Sequence, residues 1–407
     1  MRTKFNVSNG MENAKKILIF STAYYPFVGG AEVAIKEITD RITDARPTES
    51  SARAGTDGFG QVEFDLITAK LKSGIPNFEK VGNVNVYRLG IGVPILDKLL
   101  LPFWGAIKAI LLNNKNHYDF YWCMMVTFAS GAAYIANIFS ENKVPIILTL
   151  QEGDSEEYLS TKWFGLIDLS WRLALQRSSV VTVISNYLGE RARRLGFQGE
   201  TKLIPNGVDI SRYSEIFLEE ELNELSDRLG RKEENIIVLI STSRLVEKNG
   251  IDLIIKSLKY LPNNFHFYNL GSGKEKKNLT NLANSLNLGA RVYLEDYVEH
   301  DELPKYLKIS NIFIRPSRSE GQGISFLEAM AAKLPVIATP VGGIVDFLKD
   351  GETGYFCEPE NPESIAETVK RVMADTNKNQ IIENAYNMVK EKYDWGLVAK
   401  NMEAVFK

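Results

Sequence analysis

The sequence predicts an α/β protein made of two doubly wound domains. The chain has 407 residues, which is more than a single hydrophobic core usually serves. Short apolar runs of strand type alternate with segments of helical periodicity along most of the length, a pattern typical of parallel sheets built from βαβ units. This alternation occurs twice in succession, once in each half of the chain, so two sheets are expected.

Six strands are predicted in the first series, at residues 16–20, 62–67, 84–89, 120–125, 145–150 and 180–184. A second series follows the acidic, helix-like residues 215–228 and contains five predicted strands, at residues 236–241, 265–270, 291–294, 312–314 and 335–338. The loop IPNGVD at residues 204–209 lies between the series, and its Pro, Asn and Gly indicate a turn. We therefore expect a first domain at residues 1–205 and a second at residues 206–385.

Two segments do not fit this alternation simply. Residues 43–61, TDARPTESSARAGTDGFGQ, have no hydrophobic period, so we expect a long, partly disordered surface loop. Residues 96–112, LDKLLLPFWGAIKAILL, form the most apolar window. A core helix is the favoured interpretation of this window, and a helix lying at a membrane interface, with Trp104 at headgroup level, is the alternative.

The composition is that of an ordinary globular protein, with 44% hydrophobic residues, 24% charged residues and a net charge of -3. Without a basic excess, nucleic acid is not expected as a partner. Cys123 and Cys357 lie far apart, and the three histidines share no metal-ligand spacing with them, so no zinc site is expected and a reducing compartment is the simpler setting. The N-terminal residues lack the apolar core of a signal peptide, and we expect a cytoplasmic protein.

The segment SRSEGQGISFLEAM at residues 317–330 combines two carboxylates, two glycines and a helix start. Gly321 and Gly323 allow the backbone to approach a ligand closely. The apolar run that follows predicts a buried helix, whose free N–H groups attract phosphate. Glu320 lies in the loop and Glu328 about one turn into the helix, so one ligand can meet both carboxylates and the helix start. A sugar joined to a diphosphate fits this arrangement.

The segment STSRLVEKNG at residues 241–250 places Arg244 and Lys248 in one loop after a predicted strand. Arginine can direct two hydrogen bonds onto phosphate oxygens and lysine adds a mobile charge, so the pair suits a departing diphosphate. Solvated surface charge is the alternative. Gly271 and Gly273 follow the next predicted strand, but a lone G-x-G motif is weak evidence of a ligand.

Glycine pairs occur at two further turns. Gly29 and Gly30 follow the first strand and either admit a ligand or simply make a tight turn. They do not form the G-x-G-x-x-G fingerprint, which argues against a nicotinamide enzyme. For Gly342 and Gly343, we favour a supporting role.

Taken in order, these motifs resemble the GT-B retaining glycosyltransferases of family 4, also called glycosyl transferases group 1. The motifs are GGAE, ISNYL, IPNGVD, SRLVEKNG, GSG and SRSEGQGISFLEAMAAKLPVIATPVGG, and together they cover nearly the whole chain. The resemblance implies two Rossmann-like domains facing a cleft, with the acceptor held by the N-terminal domain and the nucleotide-sugar by the C-terminal one. It also implies that residues 386–407 end in a helix that packs back on the N-terminal domain.

The resemblance further implies a role for each matching residue. Arg244 and Lys248 would face the diphosphate and Glu320 the transferred sugar, and these three are the expected catalytic residues. Glu328 would meet the ribose hydroxyls. The expected donor-binding residues are Gly30, Asn206, Gly271, Gly273, Gly323, Ile324, Ser325 and Glu328.

Two positions depart from the family pattern. Asn249 stands where lysine is usual, and Lys248 lies one residue earlier. Gln151, in LTLQEGD, stands where a histidine is frequent near the reacting sugar. We expect Gln151 and Asp154 on the acceptor side, with Glu152 as an alternative to Asp154.

The resemblance thus predicts a retaining, metal-independent hexosyltransferase that needs no cofactor and uses a UDP- or GDP-sugar. The acceptor would be a glycan, a lipid-linked molecule or a small molecule, in cell-surface polysaccharide or glycolipid synthesis. Peripheral contact with the inner face of the membrane through residues 96–112 is compatible with a lipid-linked acceptor. The alternatives are an epimerase or phosphorylase-like enzyme on the same fold, and a non-catalytic scaffold that binds nucleotide-sugar.

Overall fold

The computed structural model describes residues 14–44, 62–154, 166–228 and 235–407, and it is an α/β protein with two sheets. Most of the loop predicted at residues 43–61 lies outside these ranges. The strands are β1 (Lys15–Phe20), β2 (Val62–Ala69), β3 (Phe78–Val81), β4 (Val84–Leu89), β5 (Phe120–Met124), β6 (Ile146–Leu150), β7 (Val180–Val183), β8 (Thr201–Leu203), β9 (Ile237–Thr242), β10 (Phe265–Leu270), β11 (Val292–Glu295), β12 (Ile312–Arg315), β13 (Val336–Ala338) and β14 (Tyr355–Phe356).

The helices of these ranges vary from one turn to six turns in length. They are α1 (Gly30–Asp44), α2 (Pro94–Asn116), α3 (Phe128–Phe139), α4 (Leu166–Arg177), α5 (Asn186–Arg194), α6 (Ile210–Tyr213), α7 (Glu219–Arg228), α8 (Ile251–Ser257), α9 (Lys276–Ser285), α10 (Leu303–Lys308), α11 (Ile324–Ala331), α12 (Pro362–Ala374), α13 (Lys378–Lys392) and α14 (Trp395–Glu403).

Both sheets have the crossover topology of doubly wound folds. The first has the strand order β3-β4-β2-β1-β5-β6-β7-β8, with β1, β2, β4, β5 and β6 paired in parallel and β3 antiparallel to β4. The second has the order β11-β10-β9-β12-β13-β14 and is parallel throughout. The predicted fold class is confirmed, and all eleven predicted strands are present. Sequence analysis missed β3 and β8, which are short and lack a buried apolar run, and β14, which has only two residues.

The chain forms two compact units that do not follow simple halves of the sequence. The first unit consists of Met1–Leu150, Ser170–Thr182 and Ala399–Lys407, and the second of Gln151–Leu169 and Val183–Val398. Within the first unit, Phe406 packs edge-on against Phe64 and Trp122, with ring centroids 6.0 and 5.5 Å apart. The domain boundaries expected at residues 205 and 385 stay predictions.

Helix α2 contains the apolar window of residues 96–112 and has two different faces. One face is buried and includes Leu101 and Leu112, and at Gly105 the helix passes so close to α3 that a Cβ there would lie 2.7 Å from the Cβ of Ala132. The other face is exposed although it is apolar. Its exposed side chains are Ile95, Leu96, Leu99, Phe103, Trp104, Ile107 and Leu111. In the ranges that the structure describes, no helix is long and apolar enough to cross a membrane.

Candidate active site

The second sheet creates a binding edge where its strand order reverses. From β9 the chain moves outward to β10 and β11, and it then returns to place β12 on the other side of β9. Loops at the carboxyl ends of strands beside such a reversal form the usual ligand crevice of open α/β sheets. Here these are the Arg244 loop, residues 243–250 after β9, and the Glu320 loop, residues 316–323 after β12.

The two loops are packed directly against each other. Gly250 has a φ of 68°, and a Cβ there would collide with the carbonyl oxygen of Pro316. The N–H of Arg318 donates to the carbonyl of Lys248 at 2.7 Å. Gly271 and Gly273, in the loop after β10, also pack against the Arg244 loop, because a side chain at either position would collide with its backbone. The glycines are thus needed for backbone packing, and their contact with a donor stays a prediction.

The two predicted cations of the Arg244 loop differ in their surroundings. Arg244 is exposed, and no carboxylate in the described ranges pairs with its guanidinium. Lys248 forms an ion pair with Asp154, with Nζ 3.1 Å from Oδ1. The backbone carbonyl of Asp154 also accepts a hydrogen bond of 2.6 Å from Arg191. Asp154, expected on the acceptor side, therefore lies next to a cation expected to face the diphosphate.

Both carboxylate oxygens of Glu320 are held in place. Oε1 accepts a hydrogen bond of 3.0 Å from the N–H of Gly321, and Oε2 forms an ion pair with Arg315. Arg315 is the last residue of β12 and is almost fully buried, and sequence analysis missed it. Burial lowers the pKa of the Arg315 guanidinium, while the charges of Glu320 and Glu328 act in the opposite direction. A cation at the end of a buried strand was the available signal, because such a charge needs a partner.

Helix α11 begins directly after the Glu320 loop, as predicted. Gly323 precedes it with a φ of 91°, and a Cβ there would meet the ring of Phe326 at 2.5 Å. The start of the helix leaves the N–H groups of Ile324 and Ser325 without intrahelical acceptors. Together with the helix dipole, these groups can bind phosphate oxygens.

Glu328 lies one turn further along α11 and is buried. Its Oε1 is 3.5 Å from Nε2 of His300, a partner that the sequence did not indicate. Burial and then the charge of Glu328 raise the pKa of Tyr213 well above its ordinary value. Tyr213 ends α6 and His300 lies in the loop between β11 and α10, so only the folded chain brings them to Glu328.

Three side-chain amides link Gln151, Asn206 and Gln322. Gln322 is 1% exposed; its Oε1 accepts from the N–H of Asn206 at 2.8 Å, and its Nε2 donates to the carbonyl of Asn206 at 3.1 Å. The amides of Gln151 and Asn206 exchange hydrogen bonds of 3.2 and 3.4 Å. The structure therefore joins the predicted acceptor-side residue Gln151 to the predicted donor-side residue Asn206. Gln322, which sequence analysis missed, holds the backbone of Asn206 beside the Glu320 loop.

The glycine pair at residues 342–343 packs directly against the backbone of the Glu320 loop. A Cβ at Gly342 would collide with the carbonyl oxygen of Glu320, and one at Gly343 with that of Gly321. The N–H of Gly343 donates to the carbonyl of Glu320 at 3.2 Å. These contacts fit the supporting role favoured from the sequence.

Gly30 belongs to the first unit, where it begins α1. Its contact with a donor stays a prediction. Within the described ranges, no group of three or more His, Cys, Asp and Glu side chains is arranged to hold a metal ion.

Comparison with known proteins gives two family matches. The model of the family Glycosyl transferases group 1 matches residues 223–388, which include the Arg244 loop, the Glu320 loop and α11. The model of Glycosyltransferase Family 4 matches residues 60–212.

Similar proteins cover most of the chain. An uncharacterized glycosyltransferase of Methanocaldococcus jannaschii is 28% identical, over 85% of this chain and 89% of its own. A Bacillus subtilis glycosyltransferase named for teichuronic acid biosynthesis is 27% identical over 82% of each chain.

Among solved structures, sucrose-phosphate synthase from Thermosynechococcus elongatus has a TM-score of 0.79 at 20% identity, covering 96% of this chain and 98% of its own. HepE of Anabaena, solved in complex with UDP and glucose, has a TM-score of 0.74 at 20% identity, covering 96% and 99%. The fold, the two matched family models and the site at the strand reversal agree, and the chain belongs to the GT-B glycosyltransferases of group 1, family 4, which use nucleotide-sugar donors.

Proposed function

We propose that this glycosyltransferase transfers a hexose from a UDP- or GDP-sugar with retention of the anomeric configuration, and without a metal ion. The observation that carries the proposal is the juxtaposition, at one sheet edge, of a restrained carboxylate, an exposed arginine and a helix N-terminus. These are Glu320, Arg244 and the start of α11. A nucleotide-sugar needs all three: a partner for sugar hydroxyls, a cation for the diphosphate and N–H donors for phosphate oxygens.

Each group then has a defined task in the transfer. Arg244 and the N–H groups of Ile324 and Ser325 stabilise the charge that develops on the leaving diphosphate. Glu320 orients the transferred sugar, and Glu328 binds the ribose hydroxyls. Lys248 adds a second cation to this loop, and Asp154 offsets part of its charge. No side chain of this set is placed as a nucleophile, which fits a front-face reaction in which a diphosphate oxygen takes the acceptor proton.

We also propose where the acceptor binds and what kind of molecule it is. We place acceptor binding in residues 1–205, donor binding in residues 206–385 and the returning helix in residues 386–407. One relative is named for teichuronic acid biosynthesis, and another is a GDP-mannose-dependent phosphatidylinositol monomannoside mannosyltransferase. These names support a glycan or lipid-linked acceptor in cell-surface polysaccharide or glycolipid synthesis. The UDP bound to HepE and the GDP-mannose of the mannosyltransferase leave both nucleotides as candidates.

We also propose that α2 contacts the cytoplasmic face of an anionic membrane. Ile95, Leu99, Phe103, Ile107 and Leu111 follow one another at four-residue spacing on its exposed face. The charged residues of α2 are three lysines and Asp97, whose carboxylate is buried and accepts backbone N–H groups. The exposed face is therefore apolar, and the exposed Lys115 adds a cation near the end of the helix, a combination that suits anionic lipid headgroups.

Vesicle flotation tests this contact. Wild-type protein should float with phosphatidylglycerol vesicles more than with phosphatidylcholine vesicles. Replacing Ile95, Leu99 and Phe103 by serine should abolish flotation, whereas Ile216→Ser with Leu218→Ser, also exposed apolar positions, should not. Equal flotation of both variants would argue against α2 as the contact.

Thermal stabilisation by a panel of UDP-, GDP- and ADP-sugars tests the transferase itself. A sugar nucleotide at about one hundred times its Kd should stabilise the fold by about 2.7 kcal/mol. We expect a selective shift with one nucleotide, lost in Arg244→Ala. We expect Glu320→Gln to abolish transfer with the fold intact, at a melting temperature lowered by the loss of the ion pair with Arg315. No shift with any nucleotide would contradict the transferase proposal, whereas a shift without turnover would favour the non-catalytic scaffold that binds nucleotide-sugar.

A further inference from the structure

Arg315 is a buried cation whose contacts all lie within the Glu320 loop and the start of α11. Nε donates to Oγ of Ser317 at 3.2 Å, and Nη1 donates to Oγ of Ser325 at 2.8 Å. Nη2 forms the ion pair with Glu320, and the guanidinium lies over the ring of Phe326, 4.3 Å from its centroid. Every nitrogen of the side chain therefore has a partner.

These partners belong to two different parts of the proposed donor site. Glu320 is the carboxylate placed against the transferred sugar, and Ser325 is one of the two residues whose N–H groups face the diphosphate. A guanidinium is planar and its donors have fixed directions, so it holds two partners in one mutual arrangement in a way that lysine cannot. Stacking on Phe326 fixes the plane itself.

Other charges also favour a cation here. The carboxylates of Glu320 and Glu328 both stabilise the charged guanidinium, and Arg244 opposes it. Two nearby negative charges offset the burial of Arg315, which is otherwise unfavourable. Since Arg315 is nearly inaccessible, it acts through the groups that it holds.

We propose that Arg315 is a positioning residue that fixes the carboxylate of Glu320 relative to the N-terminus of α11, and so fixes the transferred sugar relative to the diphosphate. The inference rests on the proposed function, in which Glu320 meets that sugar. It has a specific consequence: losing Arg315 should impair turnover of the sugar-nucleotide far more than binding of the nucleotide alone, because UDP and GDP lack the transferred hexose that Glu320 would orient.

Arg315→Met and Arg315→Lys test the proposal, with Arg371→Met as the matched control. Arg371 also forks onto a carboxylate, that of Asp350, and lies over an aromatic ring, that of Tyr355. The measurements are the Kd for UDP and for GDP by calorimetry, and the turnover of UDP-glucose and GDP-mannose, followed as nucleotide release. Neither needs a known acceptor.

We expect Arg315→Met to lower turnover by about 100-fold, because the charge-assisted pair with Glu320 and the alignment that it provides are lost. The Kd for the nucleotide should change by less than about threefold. Arg315→Lys should restore part of the turnover, because it keeps the charge without the fork. Arg371→Met should leave both values near those of the wild type.

The proposal is overturned if turnover in both Arg315 variants equals that of the control. It is also overturned if nucleotide affinity falls in parallel with turnover, as a purely structural role would require. Where the methionine variant does not fold, the lysine variant decides by the same two criteria. A wild-type protein that releases nucleotide from neither sugar donor would instead overturn the proposed function, and the inference with it.

Discussion

Asn249 directs its side chain into its own loop and away from the ligand crevice. It is buried, and its Nδ2 donates to the carbonyl of Arg244 at 2.7 Å. The amide therefore braces the turn that presents Arg244. A lysine at this position would lose that bond and bury a charge. Asn249 therefore stabilises the turn, and the neighbouring Lys248 supplies the positive charge of this segment.

Asn249→Lys should for this reason destabilise the fold without strengthening donor binding. Leaving the carbonyl of Arg244 unpaired and burying an ammonium group should together lower the free energy of unfolding by roughly 2–4 kcal/mol. Urea unfolding and calorimetry with UDP-sugars measure the two effects, with the exposed Asn278→Lys as control. Tighter donor binding at unchanged stability would contradict the bracing role.

Single residues could be predicted only where their motif carried the chemistry. Glu320, Glu328, Arg244 and the start of α11 stood out in the sequence because carboxylates, glycines and cations lie close together in two short segments, and the roles of the three side chains stay predictions. Their partners were not visible. His300 reaches Glu328 from another segment, and Gln322 reaches Asn206 across 116 positions of sequence, and no local pattern encodes such contacts.

At the scale of elements, the Glu320 loop owes its shape to glycines on neighbouring turns. Gly250 admits Pro316, and Gly342 and Gly343 admit the carbonyls of Glu320 and Gly321. Backbone is packed on backbone at each contact, so there is no flexible side chain to yield. The proposed catalytic loop is therefore set by turns that need not touch the substrate themselves.

Gly342→Ala should accordingly remove most of the transferase activity. Gly342 has a φ of 56° and no room for a Cβ, whereas Gly351 has a φ of 73° and open space around it. Alanine at Gly351 should cost only the strain of a left-handed backbone, about 1 kcal/mol. Nucleotide release and thermal melting of the two variants separate collision from strain; equal activities would show that the loop can shift freely.

Elements were predictable where their residues form a buried apolar run. The strands of the second sheet from β9 to β13 have largely apolar runs bounded by turns, and all were found. Helix α2 was placed correctly, but its two apolar faces differ in burial, which a periodicity cannot reveal when both faces carry apolar side chains. Its exposed face, rather than its core face, is the part with a proposed function.

At the scale of the whole molecule, each unit contains one buried cysteine. Cys123 lies in β5 of the first unit, and Cys357 follows β14 in the second. Burial raises the pKa of the Cys123 thiol far above its ordinary value and that of Cys357 to about 12. Both thiols are thus protonated and inaccessible in the folded protein, and a thiol reagent reaches each only when its surroundings open.

A donor should therefore protect the two cysteines unequally. If the sugar-nucleotide binds the second unit, a concentration of about one hundred times its Kd should slow the labelling of Cys357 by about 100-fold when labelling requires that unit to open. Cys123 should react at nearly the same rate with and without donor. Mass spectrometry of the labelled peptides measures both rates in one sample, and stronger protection of Cys123 would contradict the placement of the donor.

Residues 399–407 belong to the first unit although they are translated last, and this affects folding during synthesis. Phe406 covers Phe64 and Trp122, which belong to strands translated far earlier. During synthesis these aromatic rings stay without their contact to Phe406 until the residues of the second unit have left the ribosome. Contacts between positions so distant in sequence form slowly. The part of the protein that emerges first is thereby the part whose core is closed last, and it is the part that a chaperone would need to shield.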